Sequence, residues 1–178
     1  MGDSITDGWT ANGTIFQNKQ YVNRGISGQT TPQMVVRFRP DVIDLKPKVV
    51  VILAGTNDIA GNTGPTTPEQ IEVNLMSMVE MAKANGIQVV LCSVLPAFDY
   101  PWRKGLEPAP KIVALNAWEK DYAESQGIIY LDYYSSMVDG RGGMQADLSA
   151  DGVHPNKAGY TIMERLVGKS IGEALAPK

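Results

Sequence analysis

Lys48-Val49-Val50-Val51-Ile52-Leu53-Ala54-Gly55-Thr56-Asn57-Asp58 joins a continuous apolar run to a glycine-led polar turn. Lys48 to Ala54 lacks the polar alternation of a half-exposed strand, so it reads as a strand covered on both faces. Downstream, Pro68 starts a helix with Ile71, Leu75, Met78, Val79 and Ala82 on one face, ending at Asn85-Gly86. Ile87 to Leu95 is a second buried strand. Pro96 to Pro110 is rich in proline and reads as a loop. Ile112, Leu115, Trp118 and Tyr122 then mark a helix closed by Gly127, and Ile128 to Asp132 is a further strand. Upstream, Tyr21 to Arg24 reads as a short strand, followed by a helix capped at Thr30 or Thr31 with Pro32 in its first turn. The segment from Tyr133 to Ala150 is irregular, and Pro155 opens a last helix through Tyr160, Met163, Leu166, Val167 and Ile171. Buried strands alternating with amphipathic helices predict one three-layer α/β/α domain over residues 1–178, built on a parallel sheet.

Composition narrows the function. The formal net charge of -3, with no basic cluster interleaved with aromatics, argues against nucleic-acid binding. No apolar run approaches the ~20 residues of a membrane span. A single histidine, His154, leaves no histidine-built metal site. The lone cysteine, Cys92, lies inside an apolar run and reads as a small buried hydrophobe. A phosphate-binding Gly-x-x-x-x-Gly-Lys loop is missing, which argues against nucleotide hydrolysis.

In open parallel sheets, ligands bind outside the carboxyl ends of the strands. Gly28 follows the Tyr21 strand, Asn57 follows the Val49 strand, and Asp151 and His154 follow the Ile128 strand, so all reach one sheet edge. Ser4, in Met1-Gly2-Asp3-Ser4-Ile5-Thr6-Asp7-Gly8, precedes what reads as a helix start. It should itself follow a strand, and the first strand of such a sheet is normally central. The reading therefore expects a first strand supplied from upstream of residue 1. A secretory leader would lie upstream as well.

These residues are one of each part that serine-based ester hydrolysis needs. Ser4 offers a hydroxyl and His154 a base. Asp151, three residues before the histidine, can accept from Nδ1–H, while Gly28 and Asn57 can donate to an oxyanion. Pro155 keeps His154 out of the following helix. Each residue also has a plainer use. Asn57 or Asp58 can cap the next segment, Gly28 can serve a positive-φ turn, and a histidine before proline can be a surface residue. Ser27 lacks the second glycine of a Gly-x-Ser-x-Gly elbow.

Gly2-Asp3-Ser4-Ile5, Asn23-Arg24-Gly25-Ile26-Ser27-Gly28-Gln29-Thr30, Gly55-Thr56-Asn57-Asp58 and Asp151-Gly152-Val153-His154-Pro155 together resemble the signature blocks of the SGNH (GDSL-type) hydrolases. They occur in the family's order and bracket nearly the whole chain. The resemblance implies a flavodoxin-like sheet, Ser4 as nucleophile, His154 and Asp151 completing a triad, and Gly28 and Asn57 in the oxyanion hole. It also implies no metal and no organic cofactor. The compact chain, without a lid domain or long apolar insertion, favours a short acyl group such as acetyl. Trp9 with Phe98, Tyr100 and Trp102 could form a platform for a sugar ring; the same aromatics could simply anchor a proline-rich loop. The expectation is a short-chain esterase that removes acetyl groups from a carbohydrate. Alternatives are a lysophospholipase or thioesterase, an O-acyltransferase using the same site, and a binding module without turnover. Activity is expected to rise as His154 loses its proton.

Overall fold

The computed structural model describes residues 1–176, so the last two residues of the expected 1–178 domain lie outside the described residues. Three parallel strands, β1 (Val49–Ile52), β2 (Gln88–Cys92) and β3 (Ile129–Leu131), lie in the order β1-β2-β3. The register pairs Val50 with Val89 and Leu91 with Tyr130. Between and around them run α1 (Ser4–Asn12), α2 (Thr31–Asp41), α3 (Thr56–Ile59), α4 (Pro68–Ala84), α5 (Pro108–Gln126), α6 (Tyr134–Met137) and α7 (Lys157–Leu175).

The strand side chains divide the core in two. Val89 and Leu91 join Met34, Phe38, Leu75, Met78 and Ile112 on the face covered by α2, α4 and α5. Val90 and Cys92 join Ile5, Trp9, Tyr160, Met163 and Val167 on the face covered by α1 and α7. Alternate residues of β2 therefore enter opposite cores, as the two-residue period of a strand requires. This is the three-layer α/β/α fold.

Local chemistry sets the helix starts. Thr30 precedes α2 in a capping box with Gln33, and Thr67 precedes α4 in one with Gln70; a proline stands in the first turn of each. The strands are shorter than the apolar runs that mark them, and other elements differ from the sequence reading as well. The last helix begins at Lys157, because the Asn156 side chain accepts from Ala158 N–H and Gly159 N–H. The Pro96–Pro110 loop ends earlier, at Pro108, where proline fits the first helical turn. The irregular stretch after Tyr133 contains the one-turn α6.

Tyr21 to Arg24 makes no regular strand. Gly2 instead forms isolated parallel bridges to Gly25 on one side and to Leu53 on the other. Leu53 N–H donates to Met1 O (3.1 Å), Gly2 N–H to Arg24 O (3.3 Å) and Ile26 N–H to Gly2 O (3.1 Å). Met1 and Gly2 thus sit centrally, between the 24–26 segment and β1. With the 24–26 segment outermost, the lateral order is the 2-1-3-4-5 of flavodoxin-like sheets. Behind them an apolar groove of about 500 Å³ runs along β1, lined by residues including Tyr21, Val22, Val49 and Val51.

Candidate active site

Ser4 opens α1, where Asp3 caps the helix by accepting from Ile5 N–H (2.9 Å). The hydroxyl therefore stands in a first helical turn, whose backbone N–H groups have no helical acceptor. Close packing fixes this turn. A Cβ on Gly25 would collide with the backbone of Thr6 and Asp7, and one on Gly2 with the Thr6 side chain and Leu53 O. Asp3 is buried, and burial, opposed by the Ile5 hydrogen bond, raises its carboxyl to about 6.

Ser4 Oγ lies 2.9 Å from His154 Nε2, across 150 residues of chain. His154 Nδ1 lies 2.7 Å from Asp151 Oδ2. An ionised carboxylate only accepts, so the neutral imidazole carries its proton on Nδ1 and presents an Nε2 lone pair to the Ser4 hydroxyl. The Asp151 spacing follows from a tight turn: Oδ1 accepts from Val153 N–H (2.9 Å) and His154 N–H (2.8 Å), leaving Oδ2 for the ring. Burial raises the Asp151 pKa, but these hydrogen bonds outweigh it and hold the carboxyl at about 2. Ser149, not singled out from sequence, secures the turn by donating to His154 O (2.7 Å) and accepting from Gly152 N–H (3.0 Å).

Gly28 and Asn57 come together through the segment between them. Asn57 Nδ2 donates to Gln29 O (3.0 Å), directly after Gly28. Gly28 has a φ of 78°, and a Cβ there would meet nothing within 4 Å. Neither Asn57 nor Asp58 caps the next segment: both lie inside α3, whose N-cap is Gly55, and Asp58 instead accepts from Thr31 N–H (3.0 Å) and Thr31 Oγ–H (2.6 Å) at the start of α2. Arg37 is a second residue the sequence did not reveal. Its guanidinium donates to Gly2 O (3.0 Å), Arg24 O (3.1 Å) and the Gln29 side chain, so one cation ties the turn before Ser4 to the Gly28 loop. An arginine within an amphipathic helix gives no sequence cue to such a role.

The four aromatic candidates separate. Trp102 is 46% exposed, with its ring 6.0 Å from the His154 ring. Phe98 is 53% exposed, under the Arg141 guanidinium. Tyr100 is buried beneath Trp102, and its hydroxyl pairs with Thr56 Oγ1 at 2.9 Å. Trp9 is 4% exposed, packed on Tyr160, with its indole N–H donating to Glu164 (3.2 Å). Tyr100 and Trp9 are therefore core residues, and the expected platform contracts to Trp102 and Phe98. Trp9 follows Ser4 in the same helix α1, but its side chain enters the core with Ile5 and Tyr160.

The class of protein follows from the match of residues 1–162 to the GDSL-like Lipase/Acylhydrolase family: the chain belongs to it, and is a carboxylic ester hydrolase. Among solved structures it is similar to a GDSL-like lipase from Bacteroides thetaiotaomicron, with a TM-score of 0.95 and 47% identity, covering 98% of this chain and 87% of that one. It is 28% identical over 162 residues to an acetylxylan esterase of Geobacillus stearothermophilus, covering 85% of this chain and 71% of that protein. It is 35% identical over 85 residues to an uncharacterized lipoprotein, YqeF, of Bacillus subtilis; the match covers 46% of this chain and spans only 35% of the lipoprotein.

Proposed function

We propose that the protein removes short acyl groups, acetyl foremost, from hydroxyls of a carbohydrate by way of an acyl-serine intermediate. The observation that carries this reading is the unbroken relay Ser4 Oγ, His154 Nε2, His154 Nδ1 and Asp151 Oδ2, at 2.9 and 2.7 Å. Ser4 Oγ attacks the ester carbonyl as its proton passes to Nε2. Asp151 remains ionised and stabilises the imidazolium. The oxyanion takes hydrogen bonds from Ser4 N–H, Gly28 N–H and Asn57 Nδ2. The imidazolium then gives its proton to the leaving alcohol oxygen. Water, deprotonated by His154, attacks the acyl-serine, and the products are the carboxylic acid and free Ser4.

One feature favours a small acyl group and a second favours a sugar as the alcohol. The apolar groove along β1 is lined by none of Ser4, Gly28, Asn57 or His154, so it offers the acyl chain no sheath at the reacting carbon. Trp102, exposed beside His154, presents an aromatic face where the alcohol would lie, a surface suited to a sugar ring. The similarity to an acetylxylan esterase supports the same choice.

Hydrolysis of p-nitrophenyl esters from acetate to octanoate, with Ser4→Ala alongside, tests the reading. Acetate is expected to be fastest and Ser4→Ala inactive. Octanoate as the preferred ester would overturn the short-chain assignment, and full activity in Ser4→Ala would overturn the nucleophile.

A further inference from the structure

The Asn57 amide must present its NH2, not its oxygen, to an oxyanion. The two ends are of similar shape, so orientation rests on neighbours. Asn57 Nδ2 donates to Gln29 O (3.0 Å), and Asn57 Oδ1 accepts from Asn62 Nδ2 (2.7 Å). Asn62 Oδ1 accepts in turn from the Trp102 indole N–H (3.3 Å). A flipped Asn57 would set oxygen against Gln29 O and NH2 against the NH2 of Asn62. Arg103 fastens the same turn, donating to Ala60 O (2.7 Å) and Gly61 O (2.8 Å). The indole that ends this chain of amides is the one beside His154, stacked on Tyr100 at 5.1 Å.

We propose that Asn62 is a positioning residue: with Trp102 it holds the Asn57 amide in the orientation that offers NH2 to the oxyanion, and so links contact at the Trp102 face to transition-state stabilisation. The inference rests on Asn57 belonging to the oxyanion hole. A leaving alcohol that covers Trp102 steadies the indole, and through Asn62 the amide at the reacting centre. Binding energy from the alcohol thereby acts on kcat as well as KM.

The test uses kcat and KM on p-nitrophenyl acetate for Asn57→Ala, Asn62→Asp, Asn62→Leu and the double variant Asn57→Ala/Asn62→Asp, each with a thermal melt. Asn57→Ala is expected to lower kcat about 10²–10³-fold. Asn62→Asp replaces the donor facing Asn57 Oδ1 by an acceptor and is expected to cost about 10²-fold in kcat, with KM within about twofold. Asn62→Leu, which removes the donor without competing for the NH2, is expected to cost about tenfold, and it decides the matter if Asn62→Asp does not fold. The double variant is expected to be no slower than Asn57→Ala alone, because the two residues act through one amide. Wild-type kcat in folded Asn62 variants, or losses that multiply in the double variant, would overturn the inference while leaving the oxyanion hole intact. An unimpaired Asn57→Ala would overturn both.

Discussion

Asp3 shows how much a single carboxyl beside the nucleophile can govern. Its ordinary value of 3.8 is raised to about 6 by burial, so between these values the unfolded chain ionises while the folded one keeps its proton. The folded state therefore binds more protons in that window, and stability falls as pH rises through it. Two units correspond to about 2–3 kcal/mol. Asp3→Asn keeps the capping oxygen for Ile5 N–H and removes the ionisation. It is expected to melt roughly 5–10 °C above the wild type at pH 7.5 and to converge on it near pH 4. Parallel melting curves across that range would count against a buried, proton-holding Asp3. Asp151 acts with the opposite sign. Its value is held at about 2, below the ordinary 3.8, so its contribution is present above pH 4 and lost as the pH falls toward 2. Its partial exposure keeps that contribution small.

At the scale of elements, periodicity in β1, β2, α4 and α7 could be read directly, because an apolar stripe and a capping residue are local facts. Ser4, Asn57, Asp151 and His154 stood out as candidates for a different reason: few residue types suit the tasks of nucleophile, base and oxyanion donor, and parallel topology brings strand ends to one edge. What escaped was long-range. Arg37 reaches Gly2 O from 35 residues away, Asn62 grips Asn57 by an amide pair, and Trp9 turned out to be core. None of these leaves a local pattern. The groove along β1 belongs to this scale too. Val22, Val49 and Val51 line it together with Met1, and we propose that it accommodates a parallel strand. Adding a short alternating apolar segment ahead of Met1 is expected to fill it. Burying two such side chains contributes about 3–6 kcal/mol, so the melting temperature should rise by on the order of 10 °C. An unchanged melting temperature would show that the groove does not take a strand.

For the whole molecule, the telling feature is that the site is closed by the two ends of the sequence. Helix α1 carries Ser4, the turn before α7 carries His154, and the two helices are joined by Tyr160 Oη–H donating to Ile5 O (2.7 Å). Glu164 adds bonds to Thr14 Oγ1 (2.8 Å) and Ile15 N–H (2.8 Å). Tyr160→Phe removes one buried hydrogen bond, worth about 1 kcal/mol, and is expected to lower the melting temperature by about 2–4 °C. Ile5 is the residue next to Ser4, so kcat is expected to fall with the bond, and an unaltered kcat would show that the clamp serves stability alone. No helix among the described residues is long and apolar enough to cross a membrane, and none of their side chains group into a candidate metal site. The proposed chemistry uses the side chains of Ser4, His154, Asp151 and Asn57 together with the backbone N–H groups of Ser4 and Gly28. Its central claim is that an acyl group passes through Ser4, and the most direct measurement is peptide mass mapping of enzyme quenched during turnover of p-nitrophenyl acetate. One acetyl group is expected on the peptide containing Ser4, and none in Ser4→Ala. Acetylation elsewhere, or steady turnover with Ser4 never modified, would contradict it.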